Sequence, residues 1–203
     1  MKRIGILGGT FDPVHIGHLI LAEQARVEAC LDRVIFMPAM VQPFKLNMRC
    51  AEGEHRYAML LEAIAGNPYF SVSRLELDSS EVSYTANTLK ACREEFGAET
   101  ELYFIIGTDA FLNLEKWYAA EELLAGYSFA VGTRPGYRDE ERNALIARLR
   151  ERYGAKIVPI CNAEVEISST EIKNRIGEGK SIRYLVPERV EEYIRNHGLY
   201  RNR

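Results

Sequence analysis

Histidine, cysteine and tryptophan are scarce in this 203-residue chain, with four, four and one. The cysteines are Cys30, Cys50, Cys92 and Cys161. They form no C-x-x-C pair, and none stands near a histidine at zinc-finger spacing, which points to free thiols in a reducing cytoplasm. No apolar run approaches the roughly 18 residues of a membrane span. Met1–Leu7 briefly resembles the start of a signal peptide, but Asp12, Pro13, His15 and His18 interrupt it before an apolar region forms. A large excess of one charge is also lacking. Twenty-six Lys and Arg face 29 Asp and Glu, a net charge of −3. That argues against a broad basic face for nucleic acid, but not against a small anionic substrate in a local positive pocket. The Gly-Lys-Ser/Thr of a Walker loop is absent, and so is G-x-G-x-x-G.

What is present is an alternation of short apolar runs with helical-period segments. Strands are expected at Arg3–Leu7, Arg33–Met37, Phe70–Leu77, Glu101–Ile106, Tyr127–Val131 and Lys156–Ile160. Helices are expected at His18–Glu28, Glu54–Ala65, Thr85–Phe96, Glu115–Ala125, Glu140–Tyr153, Thr170–Ile176 and Pro187–Asn196, the last with proline in first position. Residues 39–53 read as a loop whose length and Gly53 suit closure over a ligand. Strand alternating with helix predicts an α/β fold, a Rossmann-like parallel sheet covered on both faces, with a small helical segment over about 168–203. The length predicts one domain, 1–203. Ligands of such sheets bind beyond the carboxyl ends of the strands, so the loops there are the places to search.

The first such loop is Gly8-Gly9-Thr10-Phe11-Asp12-Pro13-Val14-His15-Ile16-Gly17-His18. Its glycines admit a ligand close to the backbone, and the helix it starts offers free N–H groups to a phosphate. Two of the four histidines fall here, three residues apart, with both imidazoles on one side of a helix start. A helix N-terminus disfavours a protonated histidine, so a merely decorative pair is poorly placed there. A metal pair is a further reading, without a third ligand nearby. The second segment is Ile167-Ser168-Ser169-Thr170-Glu171-Ile172-Lys173-Asn174-Arg175. Ser168 and Glu171 fit a capping box, and the hydroxyls with Lys173 and Arg175 also suit an anion.

Together these segments resemble the adenylyltransferase branch of the nucleotidyltransferase superfamily, and within it the nicotinate-nucleotide adenylyltransferase family. Further pieces agree: Ser83-Tyr84-Thr85 with Thr88-Leu89, Gly107-Thr108-Asp109 followed by Trp117, Thr133-Arg134-Pro135-Gly136, Tyr184-Leu185-Val186-Pro187 and Gly198-Leu199-Tyr200. The resemblance spans nearly the whole chain. It implies transfer of an adenylyl group from ATP to nicotinate mononucleotide, giving deamido-NAD and pyrophosphate with Mg²⁺.

By the same resemblance, His15 and His18 are the catalytic donors. Gly8, Gly9, Thr10, Phe11, His15, His18, Ile167, Ser168, Ser169, Thr170 and Lys173 would hold ATP. Lys45, Tyr84, Thr85, Gly107, Asp109, Trp117 and Arg134 would hold the acceptor, with Trp117 stacked on the pyridine ring. Two positions depart from the family pattern. Lys173 stands where arginine is usual, and Phe44 interrupts a usual Pro-His-Lys. The alternatives are another acceptor such as phosphopantetheine or nicotinamide mononucleotide, a class I aminoacyl-tRNA synthetase piece suggested by His15-Ile16-Gly17-His18, and an inactive nucleotide-binding regulator. At this length the second has no room for an editing or anticodon domain. Neither nucleic acid nor membrane is an expected partner. Monomer and homo-oligomer both remain open.

Overall fold

The computed structural model describes residues 1–40, 50–79, 82–133, 139–161 and 165–201, with only the backbone of Thr133 and Asp139. Six strands form one sheet: β1 (Arg3–Gly9), β2 (Arg33–Pro38), β3 (Phe70–Val72), β4 (Glu101–Gly107), β5 (Ser128–Thr133) and β6 (Lys156–Cys161). Every pairing is parallel, in the order β3-β2-β1-β4-β5-β6. The order reverses between β1 and β4, so the ends of these two strands open a crevice at the sheet's centre.

Both faces are covered, which explains why the strands read as continuous apolar runs. On one face Phe36, Tyr103, Ile105 and Ile160 pack against α1 (Ile16–Glu28), α2 (Gly53–Ile64), α7 (Ser169–Gly177) and α8 (Glu188–Asn196). On the other, Ile4, Ile6, Phe104, Ile106 and Val131 pack against α3 (Thr85–Phe96), α4 (Thr108–Phe111), α5 (Ala120–Gly126) and α6 (Asp139–Tyr153). The fold is the expected Rossmann-like α/β sheet. The C-terminal helices are not a separate layer, because Ile172, Val190 and Ile194 share one cluster with Leu7, Phe11 and Val14.

Four expectations are corrected. The strand expected over Phe70–Leu77 stops at Val72, and residues 75–78 form a turn. There the Ser73 hydroxyl accepts the Leu75 N–H at 3.2 Å, a local bond that competes with a ladder. The helix expected over Glu115–Ala125 is instead a 3-10 turn, Leu114–Lys116, and then α5. Ala119 takes a left-handed φ of 53° between them, so that Trp117 can turn edge-on to Phe104. β5 runs past the expected end at Val131 through Gly132 to Thr133, and a Cβ on Gly132 would stand 2.6 Å from Leu21 of α1. Pro187 caps α8 from outside rather than occupying its first position.

Candidate active site

At the crevice a cavity of about 400 Å³ runs from the end of β1 to the start of α3. Gly8, Gly9, His18, Tyr84, Thr85, Gly107 and Trp117 all line it. Seven residues named from sequence are thus brought together from four parts of the chain.

The histidine part is built around the start of α1. His15 caps the helix with extended backbone, and its N–H donates to His18 Nδ1 at 3.2 Å. The two rings stack with centroids 3.7 Å apart. Gly17 makes this possible, because a Cβ there would meet His15 Nδ1 at 3.1 Å. A neutral His18 that accepts at Nδ1 carries its proton on Nε2 and offers that N–H as a donor. His15 is 7% exposed, and burial pulls its pKa down to about 4, so it is neutral at physiological pH. Phe11, with φ 52°, lays its ring where a Gly9 side chain would stand, 3.1 Å from that Cβ position. The expectation that Phe11 contacts ATP is therefore corrected for its side chain, which is buried in the core against His18 and Phe36.

Beneath this loop lies a buried polar hub that sequence reading missed. Asp12 is 3% exposed. Its carboxylate accepts from Lys173 Nζ at 2.7 Å, the Tyr200 hydroxyl at 2.7 Å and the Ala51 amide at 3.0 Å. Burial alone would raise the Asp12 pKa, but these donors outweigh it and hold the carboxyl below its ordinary range. Lys173 is 5% exposed. The phosphate contact expected of it is corrected, since its ammonium is engaged by Asp12 inside the protein. Arg56, also buried, donates to the carbonyls of Thr10 at 2.8 Å, Ala39 at 2.7 Å and Ala51 at 3.0 Å. Helical periodicity carried a signal for it, because Arg56 shares the buried face of α2 with Met59, Leu60 and Ile64.

At the start of α7, Ser168 is the cap and its hydroxyl accepts the Glu171 N–H at 3.1 Å. Ser169 donates to the Pro13 carbonyl at 2.9 Å. Thr170 is exposed, and Ile167 packs beside the core. In the rest of the cavity lining, Tyr84 precedes α3 with its ring 4.8 Å from Tyr118, and Trp117 stands edge-on to Phe104 at 5.9 Å. Glu76, unforeseen, also lines the cavity. The Thr88 hydroxyl donates to it at 2.5 Å, yet burial pushes its pKa up. Asp109 is exposed in the first turn of α4, while Thr108 bonds the Gly132 carbonyl at 2.7 Å. Lys45, Phe44 and Arg134, with most of loop 39–53, lie outside the described residues.

Five buried side-chain polar atoms lack a hydrogen-bond partner among the described residues. Two of them, Thr10 Oγ1 and His15 Nδ1, belong to the histidine loop. An unsatisfied buried polar atom costs about 1–3 kcal/mol.

The model of the cytidylyltransferase-like family matches residues 6–175. A probable nicotinate-nucleotide adenylyltransferase from Moorella thermoacetica is 46% identical over 99% of this chain and 93% of its own. One from Thermus thermophilus is 46% identical over 98% of this chain and 100% of its own. The chain belongs to the nicotinate-nucleotide adenylyltransferase family. Among solved structures, the Plasmodium falciparum nicotinic acid mononucleotide adenylyltransferase complexed with NaAD superposes with a TM-score of 0.79 at 20% identity, covering 98% of each chain. That likeness shows the fold.

Proposed function

We propose that the chain transfers the adenylyl group of ATP to nicotinate mononucleotide, releasing pyrophosphate. The observation that carries this reading is the single cavity lined by His18, Gly8 and Gly9 together with the aromatic side chains of Tyr84, Trp117 and Tyr118. The first three suit phosphates and the aromatics a flat ring, and all belong to one crevice. The relatives named for this activity align over almost the whole chain, which supports the same reading.

In the reaction an oxygen of the acceptor's 5′-phosphate attacks the α-phosphorus of ATP. The bond from that phosphorus to the oxygen bridging to the β-phosphate breaks, and pyrophosphate leaves with the electron pair. The nucleophile is already an anion, so no general base is required. The protein's work is to hold two anions together, which is worth on the order of 7–11 kcal/mol, and to aim donors at the growing charge. His18, through its Nε2 proton, is the principal donor, with His15 beside it. Gly8, Gly9 and Thr10 supply backbone and hydroxyl groups, and the start of α7 with Ser169 and Thr170 faces the β- and γ-phosphates. Thr85, Gly107 and Asp109 meet the nicotinate riboside and Trp117 stacks on its ring. Among the described residues no cluster of three His, Cys, Asp or Glu side chains can hold a metal. A Mg²⁺ ion would therefore enter on the phosphates of ATP, in keeping with its preference for substrate oxygens and water. All four cysteines are free, and among the described residues no helix is long and apolar enough to cross a membrane. The free thiols support a cytoplasmic setting.

The test is pyrophosphate release from ATP with nicotinate mononucleotide, nicotinamide mononucleotide or phosphopantetheine. Nicotinate mononucleotide is expected to give the highest kcat/KM, and His18→Ala to lower kcat by roughly 10²–10³-fold. Release with none of them sinks the enzyme reading, and preference for phosphopantetheine sinks the choice of acceptor.

A further inference from the structure

We propose that Tyr200, near the end of the chain, is a positioning residue of this site, acting through Asp12 on the loop that carries His15 and His18. The inference rests on the reading of that loop as the phosphate-binding centre. Four hydrogen bonds tie Asp12–Ile16 to the C-terminal part of the chain. Asp12 accepts from Lys173 and from Tyr200, the Pro13 carbonyl accepts from Ser169, and the Ile16 N–H donates to the Leu185 carbonyl at 3.0 Å. His15 lies between the third and fourth of these anchors. Its N–H in turn orients His18, so the aim of the donor ring depends on where this short stretch is held.

The hub is discriminating because it is buried. A carboxylate removed from water keeps its charge only if its lone pairs are met, and Asp12 meets them with one cation, one hydroxyl and one amide. Buried ion pairs contribute little net stability but enforce one geometry, since any departure strands a charge. Tyr200 supplies a directional bond that the Lys173 ammonium, a rotatable point charge, does not. Its ring packs half-buried beside the core cluster that holds α7 and α8, so the hydroxyl reaches Asp12 from a fixed base.

Tyr200→Phe in the full chain removes only the hydroxyl. Turnover with ATP and nicotinate mononucleotide is expected to fall about tenfold, well short of the roughly 100-fold cost of a full ångström of misplacement. The KM for the acceptor should change less than about twofold, because neither Asp12 nor Tyr200 lines the cavity that holds Tyr84, Thr85 and Trp117. A merely structural bond would instead lower the melting temperature and leave kcat alone, which overturns the proposal. The second readout needs no turnover. In ¹⁵N spectra of the imidazoles, the His18 Nδ1 resonance reports the bond from the His15 N–H, and it should shift in Tyr200→Phe. An unmoved resonance also overturns the proposal.

Lys173→Met removes the cation and leaves Asp12 to titrate higher. The kcat profile should then lose activity on its acid side at a pH where the parent protein retains it, and an unchanged profile removes Asp12 as the route. If that variant does not fold, Tyr200→Phe decides alone. An inactive parent protein sinks the functional reading, whereas full activity of Tyr200→Phe beside an active parent sinks only this inference.

Discussion

His15 illustrates how one residue couples burial and charge. Its loss of water opposes a positive charge, and its pKa falls from 6.5 to about 4. In the unfolded chain the same imidazole titrates near its ordinary value. Below that value the unfolded state takes up a proton that the folded state refuses, so the stability contributed by neutral His15 is complete above about pH 6.5 and is lost as pH falls toward 4. The shift corresponds to roughly 3 kcal/mol over that window. Urea unfolding between pH 7 and 4 is expected to show this loss, and His15→Gln to lack that part of the slope. Sequence singled out both histidines through their scarcity and spacing. It could not give the burial that sets their charge, because burial depends on chain segments far away.

At the scale of the element, the start of α1 explains a glycine that helix propensity disfavours. Alanine at Gly17 would favour the helix by about 1 kcal/mol, yet its Cβ would press on the His15 ring at 3.1 Å. Gly17→Ala is therefore expected to change stability by less than about 1 kcal/mol, with propensity and crowding opposed. Turnover should still fall about tenfold as the ring is displaced. Thermal melts and pyrophosphate release on the same preparation check both halves. Elements with strong local signals were legible: α3 occupies its expected residues, and β1, β2, β4 and β6 differ by one or two residues at an end. The failures fall where side chains outvote the local pattern. Ser73 turns the chain after β3, and the docking of Trp117 against Phe104 breaks the helix expected around it.

At the scale of the molecule, the reversal of strand order beside β1 puts the end of the first strand next to the end of the fourth, and the site follows from that topology. The C-terminal helices support the site from below. Ile194 of α8 and Ile172 of α7 lie in the same core cluster as Phe11 and Val14 of the histidine loop. Ile194→Ala is expected to destabilise the whole protein by about 2–5 kcal/mol in a single cooperative transition, measurable by urea unfolding. Two separate transitions would show that the C-terminal helices fold apart from the sheet.

The sequence by itself determined the alternation of strand and helix, the parallel sheet and the two motifs that carry the family. These are local patterns of period, turn residue and spacing, written in consecutive residues. It also named His18, Thr85 and Trp117, which line one cavity. Only the tertiary structure decided what Lys173 does. A lysine in a phosphate-binding motif and a lysine bound to a buried aspartate read alike along the chain, and 161 residues separate Asp12 from its partner. The same holds for Arg56 and Tyr200, whose partners are carbonyls and a carboxylate that folding alone brings within reach. A pairing across the fold leaves no spacing to read, and the energy that selects it comes from burial.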